Sequence, residues 1–402
     1  MSKTSHVDSR DNGVGSQAAS DASISLGLTV VMAIACGMAV ANIYYNQPLL
    51  GAIGNSFPNH RSVVGFVPMT TQLGYALGLL LLVPLGDRIE RRRLILTQFA
   101  ALVLSLAAVA LAPDAWSLVF ASALVGISSS VAQQILPFSA ELATPSRRGA
   151  TIGIVMSGLL CGILFGRALA GVVAVHYGWQ GIFWLGMLMA ISVGLVLAVT
   201  LPKSTPKTQE QYWQLLKSLG ELWREEPKLR RATIIQACIF GSFSVLWTTI
   251  ALHLEVNYQL GADVAGLFGI IGVVGVLFAP FAGRVADEKG PHLIISLASF
   301  AMLASWVVFG VWGMVAGLIV GTILIDFGAQ GAQVSNQHVI QALRPEARNR
   351  LNAIMMSGMF LGGALGSAGA SLAWDSAGWV AVCIFGVVLS VLAIGVHVIG
   401  RD

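Results

Sequence analysis

Gly86-Asp87-Arg88-Ile89-Glu90-Arg91-Arg92-Arg93 places six charged side chains in eight residues. On either side lie the apolar stretches 62–85 and 93–113. Each is long enough to cross a hydrocarbon layer as a helix, which takes about 20 residues. A charged loop between two such stretches reads as a membrane hairpin that turns in water. Working outward, the same pattern fills the chain. Twelve apolar stretches fall at 25–49, 62–85, 93–113, 115–140, 149–175, 178–201, 232–256, 262–286, 291–312, 314–340, 350–374 and 377–400. Hydrophobic residues make up 56% of the 402 residues and charged residues 10%. A soluble domain carries about 25% charged residues. Most of this surface therefore needs an apolar solvent, and only structures that satisfy their own backbone groups survive there.

The 23 Lys and Arg sort by loop. All but Arg61 and Arg167 fall in the tail, in every second loop, or at the end of the chain. Cytoplasmic loops carry such an excess, so both termini are expected in the cytoplasm. The expected organisation is a disordered tail at 1–24, a first helical bundle at 25–201, a cytoplasmic loop at 202–231 and a second bundle at 232–402. The tail has no basic region leading into a short apolar core, as a signal peptide would. In the central loop Tyr212, Leu215, Leu216, Leu219, Leu222 and Trp223 share one helical face. That face suits either a helix lying on the membrane or a linker helix packed on the bundle ends. Cys36, Cys161, Cys238 and Cys383 sit in apolar stretches without ligand spacing. They read as small buried hydrophobes, and no metal or cofactor is expected.

The chain also repeats itself at an offset of 200 without a gap. Asp87 meets Asp287, Gln133 meets Gln333, and Pro145 and Arg148 meet Pro345 and Arg348. Met156-Ser157-Gly158 meets Met356-Ser357-Gly358, Gly162 and Gly166 meet Gly362 and Gly366, and Gly178-Trp179 meets Gly378-Trp379. Matching apolar residues would mean little in so hydrophobic a chain; matching Asp, Gln, Arg and Pro at one offset means duplication. Parallel repeats about an axis along the membrane normal are a recurring transporter plan, with the site between the halves.

The charged loop has a copy, Gly283-Arg284-Val285-Ala286-Asp287-Glu288-Lys289-Gly290. Both resemble the signature loop of the major facilitator superfamily, Gly-x-Leu-Ala-Asp-Arg-x-Gly-Arg-Arg. The resemblance implies an all-α membrane protein with twelve transmembrane helices in two pseudo-symmetric six-helix bundles. It also implies that Asp87, Arg88 and Asp287 help latch the cytoplasmic end against the opposite half. Val83 and Glu90 stand where the family has Gly, and Glu288 where it has Arg, so the latch is expected to be asymmetric. In the fifth stretch Gly158, Gly162 and Gly166 permit close helix packing. They resemble the family's antiporter motif, with Ile163 in place of Pro and Arg167 in place of Gly. In the fourth stretch Ser122 stands where drug exporters carry Arg. Both departures argue against proton-coupled drug antiport. Residues 41–50, Ala-Asn-Ile-Tyr-Tyr-Asn-Gln-Pro-Leu-Leu, resemble bacterial exporters near the drug and sugar efflux groups.

Charges inside hydrocarbon cost about 2.5–3.5 kcal/mol each on insertion scales and mark pathways. Arg167 and Asp326 are the two that stand out here. Asp326 falls near mid-membrane, and Arg167 roughly 6 Å nearer the outer side from the helix rise. Asp326, Gln330, Gln333 and Gln337 form one stripe on the tenth stretch. Ser130, Gln133 or Gln134, Pro137 and Glu141 form another on the fourth. Asn42 and Tyr45 share a face on the first, and Trp247 lies midway along the seventh. The family lines its cavity with helices 1, 4, 7 and 10, so these are the candidate substrate and coupling residues. Asp326 reads as a proton-titrating or substrate-binding carboxylate, or else as a structural ion pair. Arg167 reads as an anion-binding or coupling charge, or else as a fixed partner of helix 5. A pairing of the two would make the centre of the cycle. Glu141, His253 and Glu255 near helix ends read as solvated, and Trp179 and Trp379 as belt residues.

The function expected is secondary transport of a small organic solute, monomeric and coupled to protons in the efflux direction. The alternatives are proton-coupled uptake of an organic anion and, from another class, a non-transporting sensor or assembly subunit. A nucleotide-driven pump is disfavoured because no Gly-x-x-x-x-Gly-Lys-Ser/Thr loop is present. The seven histidines form no ligand pairs and no nucleophile–base set is suggested, so an enzyme is not expected. The chain has one basic patch, on the cytoplasmic face, which gives nucleic-acid binding no support.

Overall fold

The computed structural model describes residues 24–206, 211–272, 281, 283–285, 288–344 and 347–399. Ten helices among them are long and apolar enough to cross a membrane. The first six are α1 Leu26–Ser56, α2 Pro58–Arg88, α3 Arg91–Ala110, α4 Ala115–Leu142, α5 Arg148–Tyr177 and α6 Gln180–Thr200. After a linker helix, Tyr212–Glu225, come α7 Pro227–Tyr258, α9 Pro291–Val311 and α10 Val315–Gln341. The shorter Ala262–Ile271 begins α8. The last long helix, Arg348–Ile399, is broken at Ala377 and Gly378, where φ is −147° and 61°. It is therefore two crossings, α11 at 348–376 and α12 at 379–399, and the helices account for the twelve expected.

Local chemistry starts and stops these helices. Ser25 caps α1, and Asp114 caps α4 with its carboxylate accepting from the Trp116 and Ser117 backbone N–H at 2.9 Å. Pro227 opens α7 and Pro291 opens α9, where a missing N–H costs nothing. Gly178 ends α5 at φ 74° and Gly378 ends α11 at φ 61°, a region that suits glycine. These two positions are partners in the 200-residue repeat.

The repeat returns in packing. In the first half α1 lies on α5, with Ala33, Gly37 and Ala41 against Gly158, Gly162 and Gly166. In the second half α7 lies on α11, with Thr233, Ala237 and Gly241 against Gly358, Gly362 and Gly366. Every one of these six contacts maps onto its counterpart by the same offset. A Cβ at Gly162 would fall on the Gly37 carbonyl, and one at Gly362 on the Ala237 carbonyl. Small residues are what allow backbones this close in lipid.

The halves meet along two seams, α2 against α11 and α5 against α8. Outward faces carry exposed Leu104, Phe120, Phe165, Leu195, Phe300 and Ile384, which suits contact with acyl chains. The linker helix buries Leu219 and Leu222 against the ends of α7, α10 and α11, and Leu215 is buried on the same helix. Glu225 and Glu226 hold Arg344 at 3.0 and 2.7 Å, and the Tyr212 hydroxyl donates to the Leu81 carbonyl of α2 at 2.8 Å. The packed-linker alternative therefore describes this helix. Cys36 and Cys383 are buried as expected, whereas Cys161 is exposed on the outer face of α5.

Candidate functional site

The charged groups expected inside the membrane lie where the two halves join. Arg167 on α5 is only 2% exposed. Its Nε donates to Gln47 Oε1 at 2.8 Å and its Nη1 to the Ile163 carbonyl at 3.3 Å. The guanidinium carbon lies 4.3 Å from the ring centre of Tyr44, in the first half, and 4.1 Å from that of Trp247, in the second. Arg167 is thus clamped by aromatic rings from both halves, a contact worth about 2 kcal/mol per ring when desolvated. On its remaining side it packs on Gly266 and Gly269 of α8, which leave the room it needs. Its Nη2 is buried with no hydrogen-bond partner among the described residues.

Asp326 on α10 is buried beside Gly272, directly after Ile271 of α8. Its Oδ2 is also without a hydrogen-bond partner among the described residues. Arg167 and Asp326 feel each other's charge, but no ion pair within 4.0 Å joins them. The expected pair is therefore two separate groups in this structure, because Gln47, Tyr44 and Trp247 hold the guanidinium where it is. From Asp326 the stripe runs toward the end of the molecule that carries the basic loops. Gln330, Gln333 and Gln337 along it are half-buried, and Gln337 donates to Asn352 of α11 at 3.0 Å.

At that basic end a cavity of about 320 Å³ opens between the halves, lined by Asp87, Gln133, Gln134, Gln337, Arg348 and Asn352 among others. An aromatic chain leads from it toward Arg167. Gln133 donates to the Tyr75 hydroxyl at 3.4 Å, and the Tyr75 ring lies 4.3 Å from Phe360 across the joint. Phe360 meets Phe240, Phe240 stacks on Phe243, and Phe243 lies 6.0 Å from Trp247. None of Tyr75, Phe240, Phe243 and Phe360 was marked in the sequence, where aromatic residues in apolar helices look like any other core.

The other candidates divide. Asn42 and Tyr45 were expected to line the cavity. They point instead into the first bundle, where both reach Gly186 of α6 and Tyr45 meets Phe183 edge-on. A shared helix face says which residues look the same way, not at what. Gln134 turns toward α2 and bonds the Leu82 carbonyl. Asp87 and Arg88 were expected to latch against the opposite half; in this structure Arg88 is exposed and Asp87 turns to its own half. Asp87 holds the buried Arg91 at 2.8 Å, and Arg91 lies 3.6 Å from Glu141. Glu141 is thus an ion-pair member rather than merely solvated. Asp287 lies outside the described residues. His253 is buried and stacks on Trp379 at 3.8 Å, and Trp179 is buried with its Nε1 donating to Ser56. These three serve bundle packing in place of the solvated end and membrane belt expected of them; Glu255 is exposed, as expected.

At the opposite end cavities of about 250 and 380 Å³ also lie between the halves, and hydrogen bonds tie the joint together. Gln72 of α2, a residue not singled out in the sequence, donates to Ser367 of α11 at 2.9 Å and accepts from Ser244 of α7 at 3.1 Å. Thr248 donates to Ser367 at 3.0 Å, and Ser371 donates to the Gly65 carbonyl at 2.7 Å. Ser367 is the repeat partner of Arg167. Corresponding positions thus carry a neutral hydrogen-bond network at one seam and a caged cation at the other.

A duplicated twelve-helix fold, with cavities between its halves toward both ends and hydrogen bonds tying the halves together in between, is what alternating access requires. The family model described as Major Facilitator Superfamily matches residues 31–343 and again 232–402. The chain belongs to the major facilitator superfamily. A superfamily relative, the Uncharacterized transporter YgaY of Escherichia coli O157:H7, is 40% identical over 374 residues, covering 92% of this chain and 94% of the relative. The 3-(3-hydroxy-phenyl)propionate transporter of Escherichia coli is 26% identical over 304 residues, covering 73% and 72%. Among solved structures, the superfamily fold is shared with the xylose transporter XylE from E. coli in a partially occluded inward open conformation. The TM-score is 0.70 at 16% identity, over 93% of this chain and 97% of that one. The chain is a membrane transporter, not an enzyme.

Proposed function

We propose that this transporter carries a small organic anion with an apolar body across a bacterial inner membrane, coupled to protons and as a monomer. Both termini and the basic end face the cytoplasm in this reading. The observation that carries it is Arg167, a buried cation with one nitrogen unsatisfied among the described residues, held between Tyr44 of one half and Trp247 of the other. A carboxylate bonded to that nitrogen would bind both halves at once and bias their relative position. The aromatic chain from Tyr75 to Trp247 offers the apolar body a route from the cavity to the cation. Asp326 is the group assigned to the proton, and Gln330, Gln333 and Gln337 supply polar contacts between it and the basic end. Asp87 with Arg91 and Glu141 is assigned to the gate at that end.

Arg167 thus draws the reading toward the anion, whereas residues 41–50 favour export of an uncharged or cationic solute. Flux into proteoliposomes under an imposed pH gradient tests both. Aromatic carboxylates, neutral sugars and cationic dyes are compared in each gradient direction. Gradient-driven movement of carboxylates alone is expected. Movement of dyes or sugars alone would refute the anion reading, and no flux for any class would favour the sensor.

A further inference from the structure

Beside the Arg167 guanidinium lies a second donor, the indole Nε1 of Trp247. It is buried and has no hydrogen-bond partner among the described residues. No other tryptophan nitrogen among them is both buried and unpaired. Trp179 Nε1 donates to Ser56 Oγ at 2.9 Å, Trp306 Nε1 to Ser242 Oγ at 2.6 Å and Trp379 Nε1 to the Phe309 carbonyl at 3.1 Å. A buried indole N–H finds an acceptor of this kind as a rule, and leaving it without one is costly. The exception falls on the ring that lies 4.1 Å from the Arg167 guanidinium carbon.

The two groups cannot satisfy each other. Arg167 Nη2 and Trp247 Nε1 are both donors, so what they lack is an acceptor, and the positive charge favours an anionic one. Asp326 is not that acceptor, because neither nitrogen is bonded to it. Residues 273–280, which follow Gly272 in the chain, carry no polar side chain that could serve. The donors also come from opposite halves, α5 and α7. Gln47, which gives Arg167 Nε its acceptor, is the repeat partner of Trp247. Corresponding positions of the two halves thus meet one guanidinium, the first with an acceptor and the second with an unused donor.

We propose that a substrate carboxylate bridges these donors, with one oxygen on Arg167 Nη2 and the other on Trp247 Nε1. This rests on the anion reading above and makes Trp247 a specificity-determining residue. A carboxylate offers an acceptor to each donor. The matching primary amide offers one carbonyl oxygen, and its NH2 would face the second donor, so the site rejects it. Because one bond comes from each half, the filled site ties α5 to α7 and the empty site does not.

The test uses the full chain purified in detergent. Benzoate, 3-phenylpropionate and 1-naphthoate are the probes, each beside its primary amide, with binding followed by calorimetry. Trp247→Phe keeps an aromatic face for the guanidinium and removes the N–H. Replacing Trp247 with benzothienylalanine removes the N–H and keeps the bicyclic ring, and it carries the test if Trp247→Phe does not fold. In both proteins the Kd of the carboxylate should rise about 10- to 100-fold, and the preference over the amide should shrink. Trp213→Phe, exposed on the linker helix, should bind as wild type does. With nitrogen-15 indole labelling, the signal missing from Trp247→Phe should move downfield when the carboxylate binds to wild type. An unchanged Kd in the benzothienylalanine protein, with an unmoved indole signal, would overturn the bridge and leave the anion reading standing. Binding of none of the three carboxylates to wild type would overturn both.

Discussion

Gln72 joins the two halves toward the end away from the basic loops. Its two cross-joint hydrogen bonds, to Ser367 at 2.9 Å and from Ser244 at 3.1 Å, are fully buried. Both must break when this end opens. A buried hydrogen bond contributes about 1 kcal/mol net, so Gln72→Ala should remove about 2 kcal/mol from this state. In the opposite state Gln72 faces water, and alanine costs little there. A tenfold change per 1.4 kcal/mol then gives roughly a 30-fold shift toward opening. Spin labels at Asn55→Cys and Asp375→Cys, exposed on opposite sides of the joint, would read it as growth of a longer-distance population. Gly363→Ala offers an independent route, because its Cβ would fall on the Gln72 carboxamide oxygen and push that side chain away. It should shift the populations in the same direction. An unchanged distance distribution in Gln72→Ala would refute the claim that these bonds tie the halves together at this end.

Further outcomes follow from the packing. Gly162→Ala should lower the thermal unfolding midpoint in detergent by overpacking α1 on α5, at a cost of about 1–3 kcal/mol. Gly153→Ala, with nothing within 4 Å of the added carbon, should not lower the midpoint and should raise it slightly, because alanine favours the helix by up to about 1 kcal/mol. Asp87→Asn should cost about 1.5–3 kcal/mol in the same assay by weakening a charged bond to the buried Arg91, and Arg88→Gln should cost nothing measurable. The Ser117 and then Trp116 backbone N–H groups hold the Asp114 carboxyl below the usual carboxylate range. Its contribution is therefore present above the unfolded-state value and fades as pH falls through the lower folded-state value. Asp114→Asn should flatten the acid side of the stability curve, and an unchanged curve would show that the cap plays no part in it.

The duplication was legible because it rests on charged, amide and glycine positions, and the structure converts the offset into matched backbone contacts. The polar stripe on α10 was legible for the same reason: charges and amides stand out against hydrocarbon. Asn42 and Tyr45 were not, because α1 is apolar nearly all round and no periodicity distinguishes the face toward α6 from the face toward the joint. Arg88 came from the resemblance of the loop to the family motif, whereas the four-residue spacing of one helical turn points to Arg91 as the partner of Asp87. Gln72 gave a weak signal, a single amide in an apolar stretch, and its partners lie 172 and 295 residues away in sequence.

The account's central claim is that Arg167 binds the transported anion and Asp326 carries the proton. Exchange of labelled for unlabelled substrate in proteoliposomes, measured beside pH-driven uptake, separates the two roles. Asp326→Asn should keep exchange and lose gradient-driven accumulation, whereas Arg167→Ala should lose both. Exchange at the wild-type rate and affinity in Arg167→Ala, or full gradient-driven accumulation in Asp326→Asn, would contradict it.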